Sequence, residues 1–158
     1  MEQYIQPFID VTKSTFKDFV GTEISAGRPF FEQKDSANKW DISGVIGLSG
    51  EARGAVVIGM KTALAIRLTD MLTSTKHSDI DEEVVDAIGE MVNIIAGNAK
   101  KGLEETFRLV ISLPSIVQGP AHQVKWPHDQ ARIICIPFTI FDSETFTLSV
   151  AIESLKGA

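Results

Sequence analysis

The stretch Asp86-Ala-Ile-Gly-Glu90-Met-Val-Asn93-Ile-Ile-Ala-Gly97-Asn98-Ala-Lys100 decides how the chain folds, because it reads as one long helix with two unlike faces. At about 100° per residue, Val85, Ile88, Val92, Ile95, Ala96 and Ala99 gather into a core-facing stripe. Asp86, Glu90, Asn93 and Gly97 fall on a second face, more than a right angle away. Glu90 and Asn93 are close enough in sequence to share that face, so they are expected to point into solvent or into a partner.

Glycine and asparagine are poor helix formers, and an interior glycine costs roughly 1 kcal/mol against alanine. Gly89, Asn93, Gly97 and Asn98 nevertheless crowd into this one segment, so something other than helix stability selects them. Gly97, a turn beyond Asn93, leaves no side chain where another molecule's backbone must come close. Ile94, off the core stripe, adds an apolar contact beside the polar pair. Together these residues describe a docking face.

Working outward, Ser78 or Asp79 is placed to cap this helix, with Asp81, Glu82 and Glu83 in its positive first turn and Lys100, Lys101 and Gly102 at its negative end. Ile5, Phe8, Thr12, Phe16 and Phe19 follow helical spacing, which predicts an amphipathic first helix ending near Gly21. Residues 40–60 change period and read as two strands joined across Ser49-Gly-Glu-Ala. Leu64, Leu68, Met71 and Leu72 mark a further helix over residues 62–72, and polar residues 73–78 form the loop after it. Residues 108–117, 132–141 and 145–153 read as strands, the last alternating through Phe146, Leu148, Val150 and Ile152. Pro137 cannot donate to a ladder, so its strand is expected to be an edge or to carry a bulge.

Each half of the chain thus runs helix, connecting segment, strand hairpin, with Ser49-Gly-Glu in the first turn and Asp142-Ser-Glu in the second. This is the pattern of a faint internal duplication. Helices followed by antiparallel hairpins predict an α+β domain, with the helices packed on an antiparallel sheet.

At 158 residues the chain is read as a single domain, 1–158, long enough to bury roughly two thirds of its unfolded surface. Cys135 is the sole cysteine, cannot pair within the chain, and in the apolar run Ile-Ile-Cys-Ile is read as a small buried core residue suited to a reducing compartment. No basic, apolar leader opens the sequence and no segment reaches the eighteen or so apolar residues of a membrane span, so a cytoplasmic protein is expected. A net charge of -6 without basic clusters argues against nucleic acid.

Glu-x-x-Asn followed by Ile-Ile-Ala-Gly-Asn-Ala-Lys strongly resembles the signature of the CheC, CheX and FliY phosphatases of bacterial chemotaxis, and the CheX branch in particular. The resemblance covers nearly the whole length in element order, and it implies hydrolysis of the aspartyl phosphate on a CheY-type response regulator. The matching positions are Glu90 and Asn93, the catalytic candidates, with Asp86, Ile94, Gly97 and Asn98 as partner-binding candidates. Whereas CheC-type proteins usually carry the motif twice, the first helix here has no Glu-x-x-Asn, so one site per chain is expected. The resemblance also implies a pseudo-duplicated fold and a homodimer joined through strands.

An acyl phosphate is intrinsically hydrolysable, so speeding its loss chiefly requires holding a water in line with phosphorus and stabilising equatorial charge. A neutral amide does the first job, as the glutamine of small GTPases does, which assigns Asn93 to the water. Glu90 would repel a phosphoryl group, so its expected target is a cation in the partner's site; the family implies the regulator's invariant lysine. Mg2+, the phosphorylated aspartate and that lysine would all come from the regulator, leaving no metal and no cofactor to this chain.

Other chemistries are weaker. A non-catalytic docking module, binding a regulator or the flagellar switch, would use the same face. His122 and His128 flank Trp126 but match no zinc spacing. Gly44, Gly47 and Gly50 fail the nucleotide-loop spacing and read as close-packed strand glycines, and Ser49 lacks the nucleophile elbow of serine hydrolases.

Overall fold

The computed structural model describes residues 4–32, 39–120, 122, 124, 126 and 132–155. Two long hairpins form its centre: β3 (Ile42–Gly50) with β4 (Ala52–Met60), and β7 (Ile133–Ile140) with β8 (Glu144–Ser154). They join through β4 and β8 into one antiparallel sheet. The short strands β1 (Ser25–Ala26) and β2 (Phe30–Glu32) pair with β7, while β5 (Leu109–Ile111) and β6 (Ser115–Gln118) pair with β3. Each half of the chain therefore lends its short strands to the other half's hairpin, and the expected duplication shows as a pseudo-twofold between β4 and β8.

Alternation decides which side of the sheet carries the helices. Ile42, Gly44, Ile46 and Leu48 on β3, Val56 and Ile58 on β4, and Phe146, Leu148 and Val150 on β8 are buried on that side. Against them pack α1 (Ile5–Thr15), α2 (Thr62–Thr73) and α3 (Glu82–Leu103). Phe16 stacks on Phe146 with ring centres 4.7 Å apart, and Phe138 stacks on Phe146 at 5.1 Å. On the opposite side Trp40 lies against Gly59, and Trp126 packs on Ile133 and Ala151.

Of these helices α3 is the longest, and it packs on β3, β4, β5 and β6. Gly44 admits it closely, since a Cβ there would lie 3.1 Å from Val92 Cγ1 and 3.4 Å from Ile88 Cγ2. In the pseudo-symmetric arrangement α1 is the counterpart of α3, each preceding its half's short strands, and the two pack together.

Several local expectations are corrected. The α3 cap is Asp81, whose Oδ1 accepts from Val84 N–H at 3.0 Å; Asp79 instead bonds the neighbouring Ile80 N–H. Phe19 is 54% exposed, because residues Phe16–Val20 widen into a turn closed by the Gly21 N–H on Phe16 O, which rotates the apolar row. Met71 is exposed too. Residues 108–117 form two strands rather than one, broken just ahead of β6 by Pro114, which lacks an N–H. β7 is interior, with pairing on both sides, and Pro137 sits opposite the gap between β1 and β2. Its carbonyl accepts from Gly27 N–H at 2.7 Å, so its missing donor faces the place where the neighbouring ladder is interrupted.

Candidate functional site

The start of α3 is fixed from both sides. Asp81 caps it, Glu82 and Glu83 occupy its first turn, and Lys100 and Lys101 its last, complementing the helix dipole. His77, in the preceding loop, donates Nδ1–H to Asp70 Oδ1 on α2 at 2.8 Å, and its backbone N–H reaches the same oxygen at 2.8 Å. Its Nε2 lies 3.5 Å from Glu83 Oε1. The Asp70 hydrogen bond raises the imidazole pKa above its ordinary value, and the same bond holds Asp70 below the usual carboxylate range.

Along α3 the six candidate residues occupy two neighbouring i,i+4 rows. Asp86, Glu90, Ile94 and Asn98 form the outer row, in which Ile94 is half-buried and the others are exposed. Gly89, Asn93 and Gly97 form the inner row, buried at Gly89 and half-buried at the other two. Among the described residues no hydrogen bond or ion pair engages the side chains of Asp86, Glu90 or Asn93. The carboxylate and the amide are therefore free to meet an outside group. Asn98 ends the outer row, about 140° further round the helix than Asn93.

The inner row borders the chain's own bend between β5 and β6. A Cβ at Gly89 would lie 3.6 Å from Pro114 Cγ, and one at Gly97 would lie 3.9 Å from Ile111 Cδ1. Gly97 therefore has an intramolecular neighbour, Ile111, at an ordinary van der Waals distance, which the sequence reading did not place there. Residues 111–114 as neighbours of this row were not foreseen; the usable signal was a large apolar residue, Leu113, set directly before a proline inside an alternating run.

The remaining candidates take structural places. His122 Nε2 lies 2.7 Å from Ser43 Oγ, and its Nδ1 donates to Gly119 O at 2.9 Å, so it pins its loop to β3; His128 lies outside the described residues. Cys135 is 2% exposed, and burial pushes its thiol up to about 11. Gly44 and Gly47 lie in β3, Gly44 against the helix and Gly47 beside Ser112. Gly50 takes the left-handed conformation that closes the hairpin, with φ of 113°. Among the described residues no group of three or more His, Cys, Asp or Glu could hold a metal ion, and no helix is long and apolar enough to cross a membrane.

The fold defines a CheC-like α+β domain. The crystal structure of a CheC-like protein from Shewanella sp. PV-4 superposes with a TM-score of 0.85 at 27% identity, covering 96% of this chain and 97% of that one. The CheY-P phosphatase CheX of Thermotoga maritima is 25% identical over 152 residues, 95% of this chain and 96% of that protein. A CheX–CheY–BeF3–Mg2+ complex from Borrelia burgdorferi matches with a TM-score of 0.82 at 25% identity, over 96% of this chain and 98% of that one. Residues 42–139 match the family model of the chemotaxis phosphatase CheX. The chain belongs to the CheX family of chemotaxis phosphatases.

Proposed function

We propose that this protein accelerates loss of the aspartyl phosphate from a CheY-type response regulator, with Asn93 orienting the attacking water and Glu90 pairing with a lysine of the regulator. The observation that carries the reading is the display of an unpartnered carboxylate and amide on adjacent rows of α3, a helix fixed at its cap and pressed onto the sheet at Gly44. A preorganised amide holds a water without any shift in its own pKa, and orientation of this kind is a large part of catalysis of phosphoryl transfer.

The relatives support the substrate. The Thermotoga maritima protein is a CheY-P phosphatase, and the Borrelia burgdorferi complex holds CheX on CheY with Mg2+ and BeF3, a stand-in for the phosphoryl group. By the same reading Mg2+ and the phosphorylated aspartate belong to the regulator, and this chain adds only two side chains to a half-built site. Asp86, Ile94, Gly97 and Asn98 would surround the contact. A homodimer joined through strands is part of the proposal, and light scattering tests it without touching Glu90 or Asn93.

The deciding experiment follows decay of a phosphorylated CheY-type regulator with and without this protein, using Asn93→Ala as control. Decay should be faster with the wild type, and the variant should lose most of the acceleration, roughly 100-fold, while still binding. Binding without acceleration by folded wild-type protein would instead identify a docking module.

A further inference from the structure

Leu113 is the most exposed of the large apolar side chains described, at 86%. Single exposed leucines are common and need no explanation, but this one stands on a fixed bend. Ser112 N–H donates to Gly47 O at 2.9 Å, Gly47 N–H donates to Ser112 Oγ at 2.8 Å, and Ser112 Oγ donates to Leu113 O at 2.9 Å. Pro114 then locks its own φ and restricts Leu113 to extended backbone.

The bend also has a fixed place relative to α3. Gly89 and Gly97 lie one turn to either side of Asn93 in the inner row, and they face Pro114 and Ile111 respectively. The chain from Ile111 to Pro114 therefore runs alongside Asn93, and Leu113, next to Pro114, stands at the rim of the Glu90–Asn93 face.

We infer that Leu113 is a positioning residue that grips the phosphorylated regulator, seating in an apolar depression beside the partner's phosphorylation site. The inference rests on the function proposed above, and it commits to that one partner because the bend is continuous with the face that would meet the phosphoryl group. The division of labour is physical. Glu90 and Asn93 are polar and exchange water for partner groups with modest net gain, whereas a leucine on a backbone already held in place removes apolar surface from water at reduced entropic cost. A fixed apolar anchor beside a polar pair is how few residues supply most of a contact's affinity.

Decay of the phosphorylated regulator is measured over a range of regulator concentrations with wild type, Leu113→Asp, Leu113→Met and Val110→Asp. Val110, 63% exposed, neighbours Leu109 and Ile111 on β5 and so points to the opposite side of the sheet. Leu113→Asp should raise the half-saturating concentration roughly tenfold or more, with turnover at saturation within about twofold of wild type. Leu113→Met should stay near wild type, and Val110→Asp should match it. Unchanged half-saturation in Leu113→Asp overturns the assignment, as does a fall in turnover alone or an equal loss in Val110→Asp. Should wild type fail to accelerate decay, the phosphatase reading fails by itself. Equilibrium binding to the beryllofluoride-activated regulator then decides on Leu113: weaker binding by Leu113→Asp supports it and equal binding overturns it.

Discussion

Gly44 on β3 faces Val92 on α3 so closely that a Cβ at Gly44 would lie 3.1 Å from Val92 Cγ1, with Ile58 Cγ2 at 3.3 Å. Both neighbours are branched, fully buried side chains, and neither has a flexible end to move aside. Valine at position 44 suits a strand locally but overfills this contact, which costs roughly 1–3 kcal/mol. Gly44→Val should therefore lower Tm by several degrees, measurable by calorimetry, although the substitution lies on the opposite side of α3 from Asn93. A Tm equal to or above wild type would show that the helix is not pressed onto the sheet at this point.

The His77–Asp70 contact makes stability depend on pH with a definite sign. The imidazole pKa is raised above 6.5 by its hydrogen bond to Asp70, so its contribution is full below 6.5 and fades as pH rises through the raised value. Asp70 is lowered from 3.8, so its contribution is present above 3.8 and is lost as pH falls through the lowered value. The Tm difference between wild type and Asp70→Asn should accordingly be widest between about pH 4 and 6.5 and narrower at alkaline pH. A difference that is flat, or that grows above neutrality, contradicts the ion pair.

Cys135, buried on β7 with its thiol pushed up to about 11 by burial, should be inert in the native protein. The thiolate is the reacting species, so both ionisation and access are suppressed. A chromogenic disulfide reagent at mildly alkaline pH should label it only after denaturant is added. Immediate stoichiometric labelling of folded protein would show that β7 opens locally.

How far the sequence carried these conclusions depended on how local each signal was. The rows of α3 were legible because a long amphipathic helix repeats its period many times, and Ile88, Val92, Ile95, Ala96 and Ala99 are all buried while Glu90 stays exposed. The hairpins β3–β4 and β7–β8 were legible for the same reason. What escaped was long-range. Nothing local in residues 25–32 announces pairing with β7, or in residues 109–118 pairing with β3, because register across the chain is set by tertiary packing. The same blindness hid Ile111, which lies beside Gly97.

Glu90 is exposed and unpaired among the described residues, and its proposed partner is a cation, so its effect on the reaction should carry the mark of charge. Glu90→Gln keeps the shape and removes the charge, and kcat/KM for the phosphorylated regulator should fall roughly tenfold or more at low ionic strength, the scale of a hydrogen bond between charged groups. Because exposed charges are screened, the gap between wild type and Glu90→Gln should shrink as salt is raised to about 0.5 M. Asn93→Ala removes a neutral group, and its deficit should stay constant over the same range. Asp86→Asn, one turn earlier in the outer row, separates a specific pair from the general acidity of the helix: loss confined to Glu90→Gln assigns the cation to Glu90, whereas equal losses in both variants would mean that α3 attracts the regulator only through its diffuse negative field.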